Sequence, residues 1–312
     1  MWRYIFKRLV SLIPTVLGVS LIVFSLMHIS GDPVRLMYGP NVAQEKVDER
    51  RAELGLDDPI LVQYARWLFR AVQGDLGKSI RTNDRVTTMI GQRVEATLSL
   101  TILALLITLV ISIPAGVISA VKPYSVFDNA SRVFALFWVS APNFWLGLIF
   151  ILIFGVQLGW LPISGRHGPL WSVDGFLSHI LPALTLGLPP AALFTRLIRS
   201  NMLEVIHEDY IRTARGKGLP ETVIVVKHAM RNSLIPVMTL LGLRMPWLFG
   251  GAVVTETVFA WPGMGRLMVD SIMKRDYPVV QGAVLFLALL VVLANLLVDV
   301  MYAWVDPRIK YD

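Results

Sequence analysis

The feature that most constrains this chain is a set of long apolar runs with almost no charge in them. From Leu9 to Ile29 about 21 residues pass without a formal charge, which at 1.5 Å per residue is enough to cross the ~30 Å hydrocarbon core of a bilayer. Ala96–Val121, Val133–Gln157, Phe176–Thr195 and Gly282–Ala303 are comparable in length, and Leu234–Phe259 is a further run interrupted by Arg244 and Glu256. Six membrane spans are therefore expected. Runs of this length predict helices, because a spanning helix satisfies its own backbone hydrogen bonds where no water is available. Pro114, Pro142, Pro182, Pro189, Pro190 and Pro246 fall inside the runs, as membrane helices tolerate where neighbours or water satisfy the freed groups. Composition agrees: over 312 residues the chain is 55% hydrophobic and only 16% charged, far from the balance of a soluble domain. The fold class is an all-α integral membrane protein.

The first run is too long for the apolar core of a signal peptide, and no small-x-small cleavage site follows it, so it is read as a retained span. Met1–Arg8 precedes it. Ser30–Glu95 is the one long hydrophilic segment, with a predicted helix around Glu45–Arg51 and an amphipathic one over Ile60–Phe69; it forms an external helical insert. Ala96–Ala303 then forms the main transmembrane domain, and residues 304–312 a short tail. Gly77-Lys78-Ser79 invites a phosphate-loop reading, but that motif needs glycine where Val72 stands and a strand before it. The absence of cysteine excludes disulfides, thiol catalysis and Cys-based zinc sites. The five histidines, His28, His167, His179, His207 and His228, are scattered without metal-binding spacing, and no G-x-S-x-G occurs. Neither a catalytic centre nor a bound cofactor is expected in this chain.

The net charge of +7 reads as topology rather than as nucleic-acid affinity. The N-terminus, the Lys122–Arg132 loop, the Arg196–Arg231 segment and the tail carry 14 bases against seven acids, whereas the opposite side carries 14 against 13, mostly in one long loop where charge bias fails. Both termini and the Arg196–Arg231 segment are expected in the cytoplasm, near anionic lipid headgroups. Arg244, Glu256 and Asp299 are the ionisable residues within spans. Burying any of them costs at least a few kcal/mol, so each is expected to face a partner, a cavity or the interface. Arg244 is the deepest, roughly 15 Å past Leu234 at helical rise.

The segment Asn201–Ser233 has no apolar stretch able to cross a bilayer and lies outside it. Leu203–Arg215 has apolar residues near helical spacing and predicts one helix, ended by Gly216, Gly218 and Pro220; Glu221–Ser233 predicts a second. Helix, sharp turn, helix is a form suited to being gripped by another protein. The residues EDYIRTARGKGL, Glu208–Leu219, followed by HAMRNSLIP, His228–Pro236, resemble the cytoplasmic EAA loop of ABC importer permeases, in particular the dipeptide, oligopeptide and nickel group. Thr213 and Ala214 stand where that pattern has two small residues, five and four positions before the glycine, Gly218. Arg212 replaces its leading Glu, and Arg231 stands where a Pro is expected, with Pro236 following later. These departures tell against sugar importers and suit the peptide branch. SGDP from Ser30, LGLDDP from Leu54, GDLG from Gly74, TVFAWPGMGR from Thr257, DYP from Asp276 and DPR from Asp306 also look like signatures of the family, so the resemblance extends over nearly the whole chain.

The resemblance implies a type I importer permease that pairs with a second, similar permease, with two cytoplasmic ATPases that carry ATP and Mg²⁺ and an external substrate-binding protein. It implies that Glu208, Asp209, Tyr210, Arg212, Thr213, Ala214, Arg215, Gly216, Lys217, Gly218 and Leu219 form the ATPase-coupling loop, a helix seated in a groove of its partner. The small residues Ala214, Gly216 and Gly218 would permit close approach. Trp261-Pro262-Gly263 is expected to make a tight turn, with Pro262-Gly263 in type II geometry, before a short helix over Leu267–Lys274 that folds back at the external mouth. With Arg244, Glu256, Asp276 and Tyr277 these are the candidate pore and gate residues. The expected cargo is di- or oligopeptide, with nickel, glutathione or another small solute as alternatives. An ion-driven secondary transporter would instead show midplane carboxylates and inverted repeats of broken helices, which the sequence does not display.

Overall fold

The computed structural model describes residues 2–29, 44–54 and 57–305. The SGDP motif, part of LGLDDP, the DPR motif, most of the tail and the side chain of Asp299 lie outside the described residues. Every regular element described is helical: α1 Trp2–Ile29, α2 Gln44–Leu54, α3 Ile60–Val72, α4 Val86–Val121, α5 Val126–Ser140, α6 Asn143–Phe150 continuing as a π-helical Ile151–Gln157, α7 Val173–Ile206, α8 Asp209–Gly216, α9 from Glu221–Val223 through a π-helical Ile224–Ala229 to Met230–Ser233, α10 Ile235–Val258, α11 Met264–Met273 and α12 Tyr277–Val305. Three helices, α4, α7 and the Tyr277–Val298 part of α12, are each long and apolar enough to span a membrane; the α5–α6 and α10 pairs also pass when each bent pair is taken as one span. Within α1 the apolar stretch described in full is Val10–Ser25.

The chain divides into two compact units, Met1–Glu95 with Pro262–Leu293, and Ala96–Trp261 with Ala294–Asp312. In the first, α3 packs on α1. The Ser20 hydroxyl donates to the Leu17 carbonyl at 2.8 Å and lies 2.7 Å from the Tyr64 hydroxyl, which also reaches that carbonyl at 3.4 Å, and Phe24 meets the rings of Tyr64 and Trp67. Gly74 and Gly77 take φ of +84° and +83°, which L-residues avoid, and turn the chain into the Ser79–Val86 loop. That loop is held by Asp276: the Ser79 hydroxyl and the Ile80 N–H (3.0 Å) donate to its carboxylate, and Arg81 Nε donates to the Lys274 carbonyl at 3.0 Å. Val86, Ile90, Met264, Leu267, Val279 and Ala283 form the core beside it.

In the second unit α7 is the central helix. Its apolar window is the least hydrophobic of the three spans, with mean hydropathy 1.4 against 2.5, yet 72% of it is buried against 28% for each of the other two. Ser172 caps its start, accepting from the Gly175 N–H at 3.1 Å. Its approach to α4 is backbone to backbone: a Cβ on Gly187 would lie 2.6 Å from the Ala104 carbonyl oxygen. The Thr108 hydroxyl sits in the crossing, 2.9 Å from both the Ala104 and Gly187 carbonyls. Small residues and a hydroxyl at the contact are what membrane helices use where lipid removes the hydrophobic drive to associate.

Three sequence expectations are corrected, and the interrupted run is given its bend. The run Val133–Gln157 is not one straight span: α5 and α6 meet at 107°, because Ala141, preceding Pro142, is driven to ψ 133° and ends α5. Leu234–Phe259, expected to be interrupted, bends by 55° between Ile235–Arg244 and Leu248–Val258, with Pro246 among the intervening residues. Leu203–Arg215 is not one helix; α7 runs to Ile206, and Glu208 at ψ 149° separates it from α8. Pro262-Gly263 is not a type II turn, since Gly263 has φ −102° and ψ −175°. The reversal falls earlier, at Ala260 with φ 49°, where Trp261 N–H reaches the Glu256 carbonyl (2.7 Å) and Ala260 N–H the Thr257 carbonyl (3.3 Å), a Schellman closure made without glycine.

The α4–α7 contact yields a prediction. Gly187→Leu forces side-chain atoms against the immovable Ala104 backbone and should cost about 3 kcal/mol or more, read as loss of monodisperse protein after heating in detergent. Gly250→Leu, where a Cβ meets nothing within 4 Å, should elute like the parent.

Candidate functional site

The loop Asn201–Ser233 is built outward from α7. Two buried residues of α8, Ile211 and Ala214, pack with Ile224, Val225 and Ala229 of α9 and Met202 of α7 in the main core. The other loop residues, Glu208, Asp209, Tyr210, Arg212, Thr213, Arg215, Gly216, Lys217, Gly218 and Leu219, are exposed. The helix closes with a Schellman motif, Leu219 N–H to the Ala214 carbonyl (3.4 Å) and Gly218 N–H to the Arg215 carbonyl (2.9 Å), with Gly218 at φ +76°. Arg215 clasps Glu221 across the turn at 2.7 and 3.3 Å. This hydrogen-bonded pair holds the Glu221 carboxyl below its ordinary pKa and raises that of Arg215, so the clasp is present at neutral pH and loosens only as pH falls through the lowered value. Asn232 Nδ2 donates to the Tyr210 hydroxyl at 2.7 Å, and Asn201 Nδ2 to the Ser233 carbonyl at 3.2 Å, tying α9 to α8 and α7.

Sequence reasoning gave the three small residues close approach and the turn together, and the structure separates them. Ala214 is only 8% exposed and faces the core. Gly218 is demanded by its left-handed backbone. Gly216 alone meets neither constraint: a Cβ there encounters nothing within 4 Å, and its φ is not positive.

The loop is anchored by a residue that sequence reasoning had only counted as a charge. Asp128, fully buried in the first turn of α5, accepts from Arg199 Nε (2.6 Å) and Nη2 (2.9 Å) of α7, from Arg132 Nη2 (2.5 Å), and from the Tyr124 N–H (2.9 Å). Ser125 caps α5 through the Asp128 N–H at 3.2 Å. The available signal was the Ser125/Asp128/Arg132 spacing, a cap plus an i,i+4 ion pair; Arg199, 71 residues away, gave none.

The candidate pore residues divide between the units. Glu256 and Trp261 are wholly buried in the second. Glu256 accepts from the Thr97 hydroxyl at 2.6 Å, and Trp261 Nε1 donates to the Ala96 carbonyl at 2.9 Å. The Trp261 ring meets His179 edge to face at 4.4 Å; His179 Nδ1 donates to the Gly175 carbonyl at 2.6 Å, with Ser99 Oγ 3.1 Å from Nε2. Thus α4, α7 and the end of α10 are joined by one buried polar cluster, of which the sequence had singled out Glu256 and Trp261 only. Arg244 differs. It is exposed and borders a cavity of about 220 Å³ lined by Thr108, Pro189, Pro190, Phe194 and Leu248 among others, and among the described residues no carboxylate lies within ion-pair distance. The volume is below the ~300–1,000 Å³ of ordinary ligand pockets, enough for a head group or side chain. In the first unit Asp276 is buried at 3% and Tyr277 half-buried, while Pro262 and Gly263 lead into α11.

Replacing Asp128 by Asn leaves the largely buried Arg199 without its counter-charge and should destabilise the subunit by about 3–5 kcal/mol. Arg132→Gln, on the more exposed arm, should cost under about 1 kcal/mol. Denaturation of purified protein followed by tryptophan fluorescence separates the two.

Comparison with known proteins fits this geometry. Residues 112–311 match the family model described as binding-protein-dependent transport system inner membrane component, and residues 1–101 match the model of its N-terminal region. The chain is 43% identical over 316 residues to the oligopeptide transport system permease protein of Bacillus subtilis, 41% over 333 residues to a dipeptide transport system permease protein of Alkalihalophilus pseudofirmus, and 44% over 312 residues to a glutathione transport system permease protein of Escherichia coli, each match covering 100% of both chains. Among solved structures, the MetNI methionine ABC transporter in inward-facing conformations aligns with TM-score 0.57 and 19% identity, over 70% of this chain and 96% of that one. The fold is therefore that of a type I ABC importer permease, and the chain belongs to the binding-protein-dependent transport system inner membrane component family.

Proposed function

We propose that this subunit forms, with a second permease, the membrane path of an ATP-driven importer of di- or oligopeptides delivered by an external binding protein. The observation that carries the reading is full-length identity above 40% to permeases named for oligopeptide and dipeptide transport. Both termini and α8 face the cytoplasm, where two ATPases bind ATP and Mg²⁺, and the exposed residues of α8 dock in a groove of one of them. ATP binding closes the ATPases, α8 moves with its groove, and the permeases pass from inward-open to outward-open, a coupling of distant sites through one rigid element. Arg244 faces the path: a cation beside an apolar cavity, with no carboxylate of the described residues near it, is suited to meet a cargo carboxylate in passing. Glutathione, a tripeptide, is the second reading, favoured by the 44% identity to a permease named for it.

Two measurements test this on the assembled complex in proteoliposomes. ATPase activity should rise when its binding protein carries short peptide; stimulation by glutathione-loaded and not by peptide-loaded protein moves the assignment to the second reading. Gly216→Trp adds bulk to α8 without an internal clash, so uptake should fall by at least about tenfold, a loss of ~1.4 kcal/mol in docking, with the complex's melting temperature unchanged. Normal uptake would remove α8 from the coupling role. Ala214→Asp is the wrong probe, since it places a charge in the core.

A further inference from the structure

We propose that α3 is a membrane-interface helix, lying half-sunk in the headgroup boundary of the bilayer beside α1. The inference rests on reading α1 as a span, not on the cargo. Three sectors of α3 carry it. Tyr64 and Trp67 face α1 and fix the depth, because they meet Ser20 and Phe24. The apolar run Leu9–Ile29 is centred near residue 19, so Phe24, which both rings meet, stands about 7 Å from the midplane and a similar distance beneath the edge of a core about 15 Å in half-thickness, while the tip of the Tyr64 ring reaches about one turn deeper, to Ser20. A helix set beside that level lies where interfacial helices bury their apolar face, about 5–10 Å into the boundary.

The other two sectors lie on opposite flanks of the first. At about 100° per residue, Leu61, Leu68 and Val72 fall a quarter turn to one side of the α1-facing sector, and Arg66 and Arg70 a quarter turn to the other. A helix lying in the plane beside a span must send one flank toward the acyl chains and the opposite flank toward water. This sequence supplies leucine and valine to one and two arginines to the other. Leu61 is 76% exposed and Val72 80%, and Phe69, opposite α1, is 67% exposed, so this apolar surface is uncovered by the described residues, as are Leu17, Leu21 and Ile22 of α1. Arg66 is paired with Asp58 at 2.6 Å, with its side chain still 45% exposed, and Arg70 is exposed; both are placed to meet lipid phosphates. Tryptophan at position 67 suits the same depth.

The lack of cysteine allows single-site labelling of the complete importer. Phe69→Cys and Leu61→Cys carry bimane in proteoliposomes of phosphatidylcholine brominated near the top of the acyl chain, with Arg70→Cys as the opposing flank. Labels at positions 69 and 61 should lose most of their emission to brominated lipid and little to iodide, and the label at position 70 should show the reverse. Equal iodide quenching at all three positions would overturn the proposal in favour of a helix in water. Protection at 69 from both quenchers would overturn it in favour of burial against the second permease. Because the readout does not involve transport, it stands or falls separately from the cargo assignment.

Discussion

The second unit depends on how closely α4 and α7 approach. Lipid gives two apolar helices no hydrophobic reason to associate, so contact must come from packing and from hydrogen bonds across it. At Ala104 and Gly187 the two backbones meet without side chains between them, and Thr108 shares its hydroxyl between carbonyls of both helices. A second close point, Gly116 against Ile198, lies farther along the same helix pair. With these contacts fixed, the remaining positions follow. The cap of α7 at Ser172, its Arg199 near the other end, and the buried cluster of Ser99, His179 and Trp261 are all referred to a single axis.

Much of this was legible in the sequence because membrane spans obey a length rule that local chemistry rarely overrides. The presence of α7 and α12 followed from their apolar runs and the end of α8 from Gly216-x-Gly218, whereas α7 runs on past the expected Thr195 to Ile206. What was not legible depended on tertiary contact. Pro142 was visible, but the direction of the chain after it was not, and a straight span became two helices at 107°. Ala214 read as a small residue kept for a partner, whereas its methyl is turned into its own core; in a segment of eight helical residues, periodicity does not decide which face is buried. Pro-Gly after Trp261 read as the turn, yet Ala260 takes the left-handed conformation at a cost of about 1–2 kcal/mol because the seats of Phe259 and Trp261, each no more than 1% exposed, leave the chain no other course.

Ionisable residues within or beside the apolar helices divide by what satisfies them. Asp128 is held by two guanidiniums and a backbone N–H, and it serves attachment: it ties the start of α5 to the part of α7 from which α8 is suspended. Glu256 is held by a threonine hydroxyl within a cluster that joins three segments. Arg244 has neither arrangement among the described residues and borders empty space. By physical need alone, it is the one of the three whose environment calls for something the subunit does not itself supply.

The helix that leads into α8 also contains Pro182, Pro189 and Pro190. At 34 residues α7 is a rod about 50 Å long, and each proline deletes one rung of its hydrogen-bond ladder and leaves a carbonyl one turn earlier without its usual donor. The rod is thus stiff from Pro190 to Ile206, where Arg199 is clamped, and compliant in the stretch that borders the cavity. On the proposed docking of α8, a pull applied there would arrive at that stretch as a change of angle more than as a change of length, so the subunit would act as a crank with its elbow beside the space that Arg244 borders.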